Sequence, residues 1–250
     1  MAVVSVVKLS ELEEAKRLDP EFYHPEKTIS KRNLEKVGIR RIRDCFHSIR
    51  DIFDPQRHTF SKAALVFDLS DVQSFFLSGG KAASSPKDVG SSKKIFFEND
   101  VLISRLRPYL KEATFVGFDE KIKLASTEFI VLRQKNREYY PEVLFSFLIS
   151  QPVQNILLWS ITGTEHPRFH EDYLLNLKLP RFSTDEQNEI KELVRNAWKF
   201  FSNSQSLYSQ AENLLLEELG LKDFKPKYEL SYTANLSQAF GVHRIDAEYF

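Results

Sequence analysis

Between Pro180 and Gly220 the chain runs from Ser183 to Leu219 without a glycine or a proline, and that stretch constrains the fold more than any other feature. Ser183 followed by Glu186 is a capping box: the hydroxyl can accept from a free amide of the first turn while the carboxylate reaches back to the cap. Gly220 is placed to end the helix in a left-handed conformation. The 37 residues between these signals predict about 55 Å of helix at 1.5 Å per residue. Seven-residue periods run through it, with Leu193, Phe200, Leu207 and Leu214 at one position and Val194, Phe201, Tyr208 and Leu215 beside them. Ile190, Ala197, Ser204 and Ala211 recur on the same stripe, and small residues opposite large ones let two helices approach closely. One small domain cannot cover such a helix along its whole length. The expected coiled-coil interface is Leu193, Ala197, Phe200, Phe201, Ser204, Leu207, Tyr208, Ala211 and Leu214.

A second feature sets the organisation. Leu9-Ser10 and Arg17-Leu18-Asp19-Pro20-Glu21-Phe22-Tyr23 recur near the other end as Leu236-Ser237 and Arg244-Ile245-Asp246-Ala247-Glu248-Tyr249-Phe250, both at an offset of 227 residues. The offset is far too long for a solenoid repeat of roughly 20–50 residues and fits a duplicated domain. The expected organisation is an N-terminal repeat segment over residues 1–24, a globular domain over 25–182, a long spacer helix over 183–220 and the start of a second repeat over 221–250. In the globular part, β-rich runs such as Ala64–Phe67, Asp100–Ser104 and Glu128–Leu132 alternate with Gly, Ser, Asn and Lys clusters, and a helix is predicted after Pro141. The fold class is α/β (α+β), followed by a long coiled-coil helix. Residues 78–94 read as a flexible loop carrying Lys81, Lys87, Lys93 and Lys94.

Composition excludes several classes. The 35 basic residues balance the 35 acidic ones, so no global polycation is present. The charge is unevenly spread, however: residues 27–50 hold eight cations and two carboxylates, and residues 183–219 hold three cations and seven carboxylates. The single cysteine, Cys45, cannot form an intramolecular disulfide or a multi-cysteine zinc site. No apolar run approaches the ~20 residues that span a bilayer, and the N-terminus lacks signal-peptide anatomy; a soluble, cytoplasmic protein is expected. Ser78-Gly79-Gly80-Lys81 lacks phosphate-loop spacing. His166 and His170 lie four apart without the adjoining glutamate of a zinc protease, and no metal site is expected.

Two segments suit a polyanion. Asp100–Lys111, read as one strand, alternates Ile103, Arg105, Arg107, Tyr109 and Lys111 on one face. Cations and a phenol on one face suit phosphate contact and base-edge readout, because arginine can pair bidentately with guanine. The second, Ile161–His170, presents Thr164, His166, Arg168 and His170 on a turn set by Gly163 and Pro167. The expected DNA-binding residues are Lys81, Lys87, Lys93, Lys94, Arg105, Arg107, Tyr109, Thr164, His166 and Arg168.

These residues carry a resemblance. Asp100–Leu110, Ala125–Arg133, Thr162–Arg168, Leu179-Pro180 leading to Glu186-Gln187, and the repeated Arg-[Leu/Ile]-Asp-x-Glu box resemble, in order and spacing, the DNA-sequence specificity subunits of type I restriction–modification enzymes. The resemblance implies two target-recognition domains joined by long helices that pair as an antiparallel coiled coil, each domain reading one half of a bipartite site. It implies no catalysis and no cofactor in this chain; S-adenosylmethionine would sit on a partner methyltransferase subunit, with restriction subunits joining the complex. The chain departs from the pattern in length, holding one recognition domain and one spacer helix, which fits either the N-terminal half of a longer subunit or a half-sized member that pairs through its helix with a second half-subunit or with itself. Half-sized members can pair head to tail, and symmetry then implies a palindromic bipartite target. In this family the Gly163–Arg168 pattern is shared by members with different targets, which implies an architectural or phosphate role there and base reading from residues 50–95. A helical adaptor whose globular part binds protein, and a nucleic-acid-modifying enzyme with cryptic catalytic residues, are the alternative readings.

Overall fold

Strands with continuous apolar runs must be covered on both faces, and the chain does this by stacking two sheets under a layer of helices. In a computed structural model, residues 3–60, 63–73, 75–117, 122–222, 224, 233 and 235–242 are described. They divide into two compact units, residues 1–202 and 203–250.

The centre of the first unit is a four-stranded antiparallel sheet in the order Ala113–Phe115, Val101–Ser104, Phe129–Gln134, Phe46–Ser48. Alternate residues of its strands serve different layers. Val101, Ile103, Ile130 and Leu132 join the core beneath the helices Pro141–Ile149 and Gln151–Leu158, with Leu144, Leu148, Val153 and Leu157. Leu102, Phe129 and Val131 point the other way, onto Phe67, Phe96 and Ala125 of a second sheet. That sheet is mixed, in the order Ile52–Phe53, Lys93–Phe96, Lys123–Ala125, Ala64–Phe67, Lys81–Ala83, its one parallel pair being Lys123–Ala125 with Ala64–Phe67. Its far face closes on Phe53, Val66, Val89 and Leu124 with Phe60 and Ile95.

Residues 78–94 are not the loop that their composition predicts. Lys81–Ala83 and Lys93–Phe96 are strands, and a one-turn 3-10 helix, Pro86–Val89, sits between them. It opens on Ser85 and Asp88, whose carboxylate accepts from the Ser84 and Ser85 amides. Small polar residues here build local caps rather than slack chain.

The long helix runs from Thr184 to Glu218. Its start is the expected box: Glu186 accepts from the Ser183 amide at 2.7 Å while the Glu186 amide donates to the Ser183 hydroxyl at 3.2 Å. Within the first unit, Gln187 bridges the Tyr140 amide and the Glu138 carbonyl, Val194 enters the core, and Phe201 stacks on Phe76 at 4.7 Å. Gly117 lets Trp198 approach, since a Cβ there would lie 2.7 Å from the indole.

In the second unit the helix ends on Gly220, which takes φ +68. The Leu221 amide bonds the Leu216 carbonyl and the Gly220 amide the Glu217 carbonyl, the paired bonds of a Schellman motif. A further helix, Leu236–Val242, repeats at an offset of 227 the bounds of the N-terminal helix Leu9–Ala15, so the first piece of the sequence repeat is also a repeat of structure. The second piece, Arg244–Phe250, lies outside the described residues.

Candidate nucleic-acid interface

Backbone geometry brings the two polyanion-directed segments together. The strand from Val101 ends at Ser104, where the Ser104 hydroxyl accepts from the Leu106 amide. Beyond it the chain does not alternate as one strand: Arg107 takes φ +48, Pro108–Leu110 forms a 3-10 turn, and Lys111 takes φ +55. Proline cannot donate to a ladder, which corrects the single face expected for Arg105, Arg107, Tyr109 and Lys111. The turned segment instead pairs with the second motif. Leu106 bridges Arg168, the Arg107 amide donates to the Pro167 carbonyl at 2.8 Å, and the Phe169 amide donates to the Arg105 carbonyl at 3.2 Å.

Glu128 ties the two motifs by their side chains. It accepts from Arg105 Nε at 3.0 Å and from Arg168 Nε and Nη2 at 2.9 and 2.8 Å. The Arg168 hydrogen bonds, with those of Arg105, hold the Glu128 carboxyl below the usual carboxylate range. Arg168 also donates to the His166 carbonyl at 3.0 Å, so one guanidinium fixes the base of the turn. Strands Ile161–Thr162 and Arg168–Phe169 form its stem, buried Pro167 anchors it, and Gly163 takes φ +85. Thr164, Glu165 and His166 are left exposed at the tip.

A wider charge cluster surrounds this clamp. Arg50 pairs with Glu171 at 2.7 Å. Buried Lys94 feels the charges of Glu171, Arg50, Arg105 and Glu128, and burial lowers its ammonium pKa. Arg50, Lys94, Arg105 and Arg168 are thus four cations set among two carboxylates, and the surplus is positive.

The expected residues fall into three groups. Lys93 and Lys94 are drawn inside: Lys93 pairs with Asp68 at 3.0 Å and Lys94 donates to the Phe129 carbonyl at 2.7 Å. This corrects their assignment to an exposed loop, because the strand turns Lys94 onto a buried carbonyl and covers Lys93 while it reaches the exposed Asp68 carboxylate. Arg105 and Arg168 are half-exposed but committed to Glu128. Lys81, Lys87, Tyr109, Thr164 and His166 are exposed and Arg107 half-buried, and among the described residues Lys81, Lys87 and Arg107 form no ion pair with a carboxylate. The basic segment 27–50 is largely matched in the fold: Lys31 with Glu35, Arg40 with Glu138, Arg41 with Asp44, Arg43 with Asp172 and Arg50 with Glu171. Such surface pairs contribute only about 0–1 kcal/mol each and exchange partners readily.

Glu128 and Glu171 were not singled out by the sequence reading. The signal available for Glu128 was its place in the Ala125–Arg133 pattern; Glu171 had none. His170 accepts from the Asp172 amide and caps the helix Glu171–Leu175. Among the described residues no group of three His, Cys, Asp or Glu side chains could hold a metal ion. Cys45 is buried, and burial pushes its thiol up to about 11, away from nucleophilic chemistry. No described helix is long and apolar enough to cross a membrane.

On the long helix the structure separates two stripes that the periodicity had merged. Val194 and Phe201 face the chain's own domain. Leu193, Ala197, Phe200, Ser204, Leu207, Ala211 and Leu214 are exposed, as is Tyr208 beside them, with Leu193, Phe200, Leu207 and Leu214 each 61–71% accessible. At 100° per residue, the seven from Leu193 to Leu214 fall within about 100° of one another, one continuous face. Phe201 therefore leaves the expected interface and serves packing within the unit.

No family model and no curated protein sequence matches the chain. Solved structures do. A chain from a structural study of complex assembly and conformational transition in a type I R-M (restriction–modification) system is 23% identical, with a TM-score of 0.52 over 77% of this chain and 50% of that one. The HsdS subunit from Thermoanaerobacter tengcongensis is 22% identical, with the same TM-score and the same coverage of both chains. The chain thus spans about half the length of the structures it matches. Its fold, the layered α/β domain running into a long helix, is that of one half of an HsdS-type subunit of type I R-M systems.

Proposed function

We propose that this chain is a half of a DNA-specificity subunit of a type I restriction–modification enzyme, either a half-length subunit or the N-terminal half of a longer one, a non-catalytic protein that reads one half of a bipartite site. The observation that carries the reading is the likeness of fold over 77% of the chain to an HsdS subunit, of which it spans half. Lys81, Lys87 and Arg107, which form no ion pair within salt-bridge distance among the described residues although Lys81 lies in the field of Asp88 and Arg107 in that of Glu112, are suited to phosphates, which supply affinity and salt dependence without specificity. Tyr109, Thr164 and His166 are exposed and are candidates for base contact. Glu128 positions the tip and prevents Arg105 and Arg168 from spending both guanidinium edges on guanine.

The exposed helix face supports pairing with the same face of a second copy, head to tail. Two identical domains would then read identical half-sites in opposite orientation, which requires a palindromic bipartite target. Methyltransferase subunits, carrying S-adenosylmethionine, and restriction subunits would dock on this assembly. The test is selection from a randomised DNA pool at two salt concentrations. Enrichment of inverted half-sites around a spacer of constant length supports the reading. Enrichment of no sequence, with the chain still dimeric, would leave the helical adaptor in its place.

A further inference from the structure

The N-terminal copy of the repeated box is a clasp. Arg17 grips Asp19 by two hydrogen bonds, at 2.8 and 2.6 Å, and donates from both terminal nitrogens to the Ile161 carbonyl at 3.1 Å. Its guanidinium lies 4.3 Å over the ring of Phe22, which is buried. Lys27 Nζ lies over the same ring at 2.9 Å from its centroid, and the Tyr173 ring sits 5.5 Å away. The Tyr23 hydroxyl closes the clasp on the Arg17 carbonyl at 2.8 Å. The receiving cradle is therefore the Ile161 carbonyl, the Lys27 amine (itself held by the Trp159 carbonyl at 3.3 Å) and the Tyr173 ring. What it recognises is an arginine, an acid two residues on, and an aromatic ring five residues on.

Arg244, Asp246 and Tyr249 supply those three groups at the same spacing, 227 residues later, after a helix of the same bounds. We propose that residues 244–250 of one chain dock in the Ile161–Lys27–Tyr173 cradle of a second copy, in competition with that copy's own residues 17–23. This inference rests on the head-to-tail pairing put forward above. The C-terminal box is the weaker occupant. Phe250 lacks the hydroxyl that Tyr23 gives to the clasp, and Ala247 lacks the fixed φ with which Pro20 opens the turn Pro20–Tyr23. Binding is expected to be roughly tenfold weaker than that of the resident box. Pairing of the long helices makes the exchange possible by raising the local concentration of the box toward the millimolar range, and the resident box keeps its advantage. Exchange of like elements between protomers would then close the dimer with a ligature beyond the helices themselves.

A photo-crosslinking residue, p-benzoylphenylalanine in place of Phe250, tests this in chains of residues 1–250 without DNA, with isotopically heavy donors mixed with light recipients. Inter-chain cross-links to residues 159–173 are expected, to rise about tenfold when the recipient carries Arg17→Ala with Phe22→Ala, and to fall about as much when the donor carries Arg244→Ala. Should the recipient variant fail to fold, the Arg244→Ala comparison in otherwise intact chains decides. A dimer by mass whose cross-links lie elsewhere, or do not respond to Arg244→Ala, overturns this inference and leaves helix pairing standing. A monomer overturns both.

Discussion

Replacing Glu128 by glutamine tests the clamp that joins the Arg105 and Arg168 segments. The carboxylate accepts three charge-assisted hydrogen bonds, at 2.8–3.0 Å, from Arg105 and Arg168. A glutamine keeps one accepting oxygen and turns an NH2 toward the other guanidinium, so at least one bond is lost and two neighbouring cations go uncompensated. Hydrogen bonds to charged groups contribute about 1.5–3 kcal/mol where buried. Here the arginine side chains are 43% and 38% exposed, so solvent re-solvates them and the cost falls to about 1–2 kcal/mol. In a domain of this size that is a fall in Tm of about 3–6 °C. The pH dependence has a definite sign. Because Arg168 and Arg105 lower the folded-state value, the Glu128 contribution is complete above its unfolded value of about 4.3 and disappears as pH falls through the lower folded one. Calorimetry of wild type and Glu128→Gln at pH 7 and at about pH 3 should therefore show a gap that narrows in acid. Equal stability at pH 7, or a gap of the same size in acid, would refute the clamp.

Leu207→Asp on the exposed helix face should leave the monomer's melting unchanged, because Leu207 is 65% accessible. Each copy of a symmetric pair would lose about 1–2 kcal/mol of burial, raising the dimer Kd by roughly 30- to 1000-fold in sedimentation equilibrium. Gly117→Ala should cost about 1–3 kcal/mol in denaturant unfolding, because the added Cβ meets the Trp198 indole at 2.7 Å. Lys87→Glu, at an exposed position, should weaken all DNA sequences alike and flatten the plot of log K against log salt by about one to two units, without altering the preferred site.

What could be read from the sequence was local. Ser183, Glu186 and Gly220 mark the ends of the long helix because capping and left-handed termination depend on a few neighbouring residues. Strands at Ala64–Phe67 and Val101–Ser104 and the helix after Pro141 announce themselves by apolar runs and spacing. Some failures are local, as where Pro108 and the positive φ of Arg107 and Lys111 end the strand from Val101, but most involve contacts distant in sequence. Lys93 and Lys94 look like solvated loop lysines until Asp68 and the Phe129 carbonyl are brought to them by sheet pairing. Arg105 and Arg168 look like free groove readers, 63 positions apart, until Glu128 takes both. Val194 and Phe201 cannot be told from Leu193 and Phe200 by periodicity, since only the domain beneath distinguishes the covered face from the open one.

Sequence-specific reading of DNA is the centre of the account, and equilibrium binding at physiological salt tests it most directly. Fluorescence anisotropy would compare the selected inverted site with a duplex in which both half-sites are scrambled at constant length and composition. The account predicts a preference of at least about 10³ for the intact site. Equal affinity for both duplexes, falling together as salt is raised, would contradict it.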